Sequence, residues 1–159
     1  SPAATFTIVG AAPTDRVRRL AGAGRGIEVT GRVADVKPYL WESAVSVAPL
    51  HVARGVQNKV LEAIAAGLPV VVTSAVAGGL PVAVGPACRR ADTPAAFAGE
   101  IIELLGMTGQ ERRGLAGRAD CAAMSWDHQM APLPGILAAA VGQSPTGLAP
   151  DAVAVGCAR

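Results

Sequence analysis

The sequence predicts an α/β fold built on a mainly parallel sheet. Two observations carry that expectation. Short runs rich in β-branched residues recur along the chain, at 5–10 (TFTIVG), 27–31 (IEVTG), 45–50 (VSVAPL) and 69–73 (PVVVT). Between them lie stretches with helix start and stop signals, so strands and helices alternate, with no internal repeat. At 159 residues the chain can bury one real core and is short for two ordinary domains.

Taken in order, the first run is closed by Gly10 and reads as a buried strand. Thr14 then caps a helix reaching about residue 23, with Val17 and Leu20 inward and Arg16, Arg18 and Arg19 on a solvated face. After the second run, Asp35 caps a short helix over 36–42. The third run leads into a long helix over 56–66, which Gly67 ends and Pro69 prevents from continuing. The fourth run follows, then a small-residue loop at 75–81 and a weak edge-strand signal at 82–91. Thr93 and Pro94 start another helix, with Phe97, Ile101, Leu104 and Leu105 as its apolar stripe. A second helix is expected over 108–124, and Ser125 caps a third segment broken by Pro132 and Pro134. Asp127 reads as a helix cap, and Trp41 and Trp126 as core or interface anchors. From residue 142 onward Gly and Pro recur without a period, the pattern of a mobile or loosely docked tail.

Composition removes several functions. A chain that is 51% hydrophobic and 16% charged is not intrinsically disordered. A net charge of +2 with scattered basic residues, and only 3% aromatic residues, argue against nucleic acid as a partner. Cys88, Cys121 and Cys157 lie far apart without CxxC or Cys/His spacing, which speaks against a disulfide framework and structural zinc and for a reducing cytosol. No apolar run reaches the roughly 20 residues of a membrane span, and the opening SPAATFTIVG lacks signal-peptide character. There is no GxGxxG, no GxxxxGK[ST] and no nucleophile elbow.

The informative stretch is 45–74, VSVAPLHVARGVQNKVLEAIAAGLPVVVTS. On a wheel of about 100° per residue, Glu62 shares its side with Asn58, Ala66 and Lys59, while Val60 and Ile64 lie opposite. Arg54, Gly55, Val56 and Gln57 form the loop entering this helix, whose amide-lined, partly positive end suits a phosphate. Arg54 and Lys59 can add formal charge there, and a carboxylate further along can accept hydrogen bonds from ribose hydroxyls. The plainer account is a surface ion pair between Lys59 and Glu62 at i,i+3, worth roughly 0.2–0.5 kcal/mol. Spacing alone does not choose between them. His51, at a strand's carboxyl end, can touch a substrate or simply be exposed. Ligands of such folds lie at the carboxyl ends of strands, which puts 10–13, 31–35, 51–57 and 74–80 around one expected crevice.

The order of residues adds a resemblance. VTGRVADVKPYL, then the stretch 45–74, then SWDH near the end, resembles the C-terminal half of glycosyltransferases with the GT-B fold, in the retaining group one class. APLHVARGVQNKVLEAIAAGLPVV is similar to the sugar transferases of PEP-CTERM exopolysaccharide systems. The resemblance spans roughly residues 5–141. It implies a Rossmann-like donor-binding domain over 1–141, truncated at its start, with 142–159 as tail. Glu62 matches the second glutamate of the class's Glu-x7-Glu motif, which holds the donor's ribose. The first position is Arg54, a departure that bears on how the donor sugar is handled. Gly55, Val56 and Gln57, with Asn58 beside them, match the loop at the diphosphate and sugar. Gly31, Arg32 and Val33 match a loop near the base.

The resemblance further implies a bacterial, cytoplasmic transferase of the hexosyl type, with a peripheral position at the inner membrane face left open. Its donor would be a UDP-sugar or GDP-sugar and its acceptor a glycan or lipid-linked sugar. No metal or other cofactor is obligatory in the class. Arg54, Lys59 and the helix end would stabilise the leaving diphosphate. An acceptor domain and a basic pair precede this region in the class, so the chain is expected to be an incomplete and inactive fragment. The alternative is a non-catalytic interaction module of the same architecture.

Overall fold

Every strand pair among the described residues is parallel. The structure is a computed structural model that describes residues 4–21 and 26–141, and the expected tail lies outside the described residues. It divides into two compact units, Ser1–Ser43 and Ala44–Arg159.

In the first unit β1 (Phe6–Val9) pairs with β2 (Ile27–Gly31), Phe6 opposite Ile27 and Ile8 opposite Val29, with a register shift before Val9 meets Gly31. Thr14 caps α1 (Asp15–Arg18) by accepting from the Val17 amide. This helix ends well short of the expected residue 23. Its last turn tightens, the amides of Leu20 and Ala21 reaching back only three residues, and Leu20 is exposed rather than inward. Residues 22–23 lie outside the described residues. Arg16, Arg18 and Arg19 are exposed as expected. In α2 (Lys37–Trp41) the cap position is Val36, but Asp35 still accepts from the Lys37 amide at 3.0 Å.

In the second unit the sheet order is β3 (Ser46–Ala48), β4 (Val70–Val72), β5 (Cys88–Arg90). Sequence neighbours are sheet neighbours. Central β4 is all valine and fully buried, the composition of a strand covered on both faces. Val71 packs with Leu104 and Leu115, flanked by Val45, Val47, Phe97, Ile101 and Met107. Val70 and Val72 point the other way by the strand's two-residue period. α3 (Asn58–Ala65) packs against β3 and β4, with Val60, Ala63 and Ile64 buried.

Several expectations need correcting. The expected loop at 75–81 opens with a helical turn, α4 (Ser74–Ala77), because Thr73 caps it by accepting from the Val76 amide. The weak strand at 82–91 is a 3-10 segment, Val82–Ala87, that leads directly into edge strand β5. Thr93 and Pro94 do start α5 (Pro94–Gly106). The helix expected over 108–124 is α6 (Gly109–Ala116); the chain then leaves helical geometry, and the Asp120 amide bonds the Ala83 carbonyl at 2.9 Å. Ser125, not Asp127, caps α7 (Trp126–Met130), and Pro132 occupies the cap of a further helix, α8 (Leu133–Ala140). Neither tryptophan is a core anchor, since Trp41 and Trp126 are both largely exposed.

Candidate functional site

The site is built where β3 gives way to α3. A C-terminal strand end needs a lateral partner once the ladder stops, and Thr73 supplies it by donating its hydroxyl to the Leu50 carbonyl. Beyond Leu50 the chain runs exposed through His51 and Val52 to a turn at Gly55, whose φ of +64° favours glycine. The Gln57 side-chain amide folds back and donates to the carbonyls of Arg54 (3.2 Å) and Gly55 (3.4 Å). A trans peptide points its N–H opposite to its carbonyl, so these two bonds turn the amides of Gly55 and Val56 outward.

Gln57 is also the cap position of α3, and its side chain, occupied in the loop, caps nothing. The amides of Gly55, Val56, Gln57, Asn58 and Lys59 therefore have no acceptor among the described residues. Five consecutive free donors at a helix start form a positive, anion-seeking surface. The side chains of Arg54, Asn58, Lys59 and Glu62 are exposed and have no partner among the described residues. Lys59 and Glu62 form no ion pair. Glu62 lies opposite the buried face of α3, on the side it shares with Asn58 and Lys59 and about 6 Å along the axis from Asn58.

Of the four segments expected around one crevice, 10–13 and 31–35 belong to the first unit and 51–57 and 74–80 to the second. Within the first unit the Gly10 amide bonds the Gly31 carbonyl at 3.2 Å, joining 10–13 to 31–35. Gly31 has φ +73°, Arg32 is exposed and Val33 half-buried. Within the second unit the turn after α4 meets the 54–57 loop, Gly79 lying against the Gly55 carbonyl.

Three parts of this arrangement escaped sequence reasoning. One is the inward engagement of Gln57. Another is Gly79, whose neighbour is 24 residues away in the chain. The third is Asp92 at the end of β5, which accepts from the Ser74 amide (2.7 Å) and hydroxyl (2.5 Å). Those bonds hold the Asp92 carboxyl below its ordinary range. Its one sequence signal is a carboxylate two residues beyond the end of β5.

A cavity of about 600 Å³ beside α4 is lined by Val72, Ala77, Leu80, Val82, Cys88 and Arg90, and by none of the expected site residues. Burial pushes its Cys88 thiol up to about 11, which disfavours the thiolate. The cavity's lining is largely apolar, with Arg90 as its one cation. Among the described residues no group of three or more His, Cys, Asp or Glu can hold a metal, and no helix is long and apolar enough to cross a membrane.

Comparison with known families settles the relationship. The family of glycosyl transferases group 1 matches residues 1–107, from the first described strand to the end of α5. The chain belongs to the group 1 glycosyl transferases. A search among curated proteins finds no match. As a group 1 transferase the chain serves glycosyl transfer, with a sugar donor and an acceptor as partners. Its parallel α/β sheets flanked by helices are consistent with the Rossmann-like architecture of a GT-B domain.

Proposed function

We propose that the second unit is the donor-holding part of a retaining transferase that uses a nucleoside diphosphate sugar. The observation that carries this reading is the row of free amides from Gly55 to Lys59, followed on the same exposed side by the unpartnered Glu62. A diphosphate placed on those amides accepts several charge-assisted hydrogen bonds, each stronger than its neutral counterpart. Arg54 and Lys59 add two positive charges beside it. Asn58 contributes a neutral amide. Glu62 accepts from the vicinal ribose hydroxyls, whose geometry suits a carboxylate with two oxygens.

In glycosyl transfer the bond between the sugar's anomeric carbon and the diphosphate breaks, and negative charge grows on the leaving phosphate. Amides fixed before the reaction stabilise that charge without reorganising, and the two cations reinforce them. This scheme asks for no resident metal. The donor is a UDP-sugar or GDP-sugar, and the acceptor a glycan or lipid-linked sugar of bacterial exopolysaccharide synthesis. What supports the last point, and a base-side role for Gly31, Arg32 and Val33, is the resemblance alone.

Glu62→Ala tests the reading. Calorimetry with UDP and with GDP should show affinity lower by about 1–3 kcal/mol, the scale of lost charged hydrogen bonds. Unchanged affinity removes Glu62 from the ribose.

A further inference from the structure

Gly79 makes the closest backbone approach of any glycine in the described residues, and the approach is to the proposed phosphate loop. A Cβ at residue 79 would sit 2.6 Å from the Gly55 carbonyl oxygen and 3.3 Å from its carbon. Real Cβ atoms do not come so near, and the obstacle is main chain, so the loop or α4 would have to move. Gly78 provides the contrast, since its Cβ would meet only the Ser74 carbonyl, at 3.4 Å, an ordinary contact.

α4 is well placed to be the part that does not move. Thr73, at its cap, donates to the Leu50 carbonyl at the end of β3. Ser74, its first residue, is gripped through both amide and hydroxyl by Asp92 at the end of β5. Val76 is fully buried beneath it. Gly79 then closes the turn through its own amide, which bonds the Val76 carbonyl at 3.0 Å. One helical turn is thus pinned to both strands that flank β4, and its far end rests on Gly55.

We infer that Gly79, in the turn that follows the pinned α4, is a positioning residue for the 54–57 loop: it fixes the direction of the Gly55 carbonyl and so that of the Val56 amide. The two groups belong to one planar peptide and point oppositely, so rotation of the carbonyl swings the amide away from a bound phosphate. The Gln57 side-chain amide donates to the same carbonyl at 3.4 Å, so a second contact bears on that peptide. This inference rests on the donor reading only for its effect on binding; the loop geometry stands apart from it.

The experiment compares Gly79→Ala with Gly78→Ala in the full chain, reading backbone amide resonances and affinity for UDP and GDP. The expected result is that Gly79→Ala shifts the Gly55 and Val56 amide signals, spares those of Val70, Val71 and Val72, and weakens nucleotide binding at least tenfold. Gly78→Ala should leave loop signals and affinity within twofold. If wild type binds nucleotide and Gly79→Ala binds equally well, the positioning role is overturned while the donor reading stands. If wild type binds neither nucleotide, the donor reading fails, and the amide shifts alone decide whether Gly79 sets the loop. Should Gly79→Ala not fold, Asp92→Asn takes its place, because it loosens α4 without a clash. The same loop signals must then shift, and their constancy overturns the inference.

Discussion

α3 and α6 are both eight residues long and belong to the same unit, yet they begin in opposite ways. α6 spends its polar groups on itself. Thr108 and Glu111 form a reciprocal capping box, with bonds of 3.2 and 2.7 Å, and Arg112 reaches back to the carbonyls of Leu104 and Met107 at the end of α5. α3 leaves its donors free and turns its cap residue, Gln57, to other work. A capped start contributes stability, whereas an uncapped start keeps donors available for an outside acceptor. Both helices pack in the same unit, but only α3 keeps the free donors on which the proposed donor reading rests.

That contrast can be broken by exchanging the two behaviours. The largest effect is expected from Gln57→Asp, which supplies α3 with a capping carboxylate. It should raise stability by about 0.5–1 kcal/mol while lowering UDP or GDP affinity tenfold or more, because the new carboxylate takes an amide and repels phosphate. Denaturant unfolding and calorimetry on one preparation read both numbers. A stabilised variant with undiminished affinity would mean that those amides meet no phosphate.

The converse change is smaller. Thr108→Ala removes the cap of α6 and should cost about 1 kcal/mol of stability with no change in nucleotide affinity. A loss of affinity beyond twofold would show that the supporting side and the ligand side are not separable.

The smallest effect concerns acid. Hydrogen bonds hold Asp92 and Glu111 below their ordinary values of 3.8 and 4.5, Asp92 through Ser74 and Glu111 through Thr108. A carboxylate with a depressed folded pKa contributes stability above its unfolded value and loses it as pH falls through the folded one. Unfolding midpoints should therefore be flat from pH 7 to about 5 and decline below about 4.5. Asp92→Asn with Glu111→Gln should flatten that acid limb, and an unaltered slope would contradict the assignment.

How much of this was legible depended on how local the cause was. The valines of β4 and the Thr93–Pro94 start of α5 carry their reasons within a few residues, and sequence reading found both. So did the Gly55 loop and the side of α3 that bears Glu62. α4 reads as a loop in the sequence because residues 75–81 are small, while the carboxylate that pins its first amide lies 18 residues onward at Asp92. The end of α6 was overrun because the bond that draws the chain away, from Asp120 to Ala83, joins residues far apart. The ion pair between Lys59 and Glu62 was equally permitted by spacing, and only coordinates could discard it.

One further consequence concerns Arg54. Its carbonyl is engaged by Gln57, and its guanidinium meets nothing among the described residues. The loop's shape thus depends on the main chain at this position and not on the residue's identity. Position 54 can therefore be exchanged without disturbing the neighbouring peptides, and under the proposed donor reading a change there alters the charge beside the sugar and leaves its mount intact.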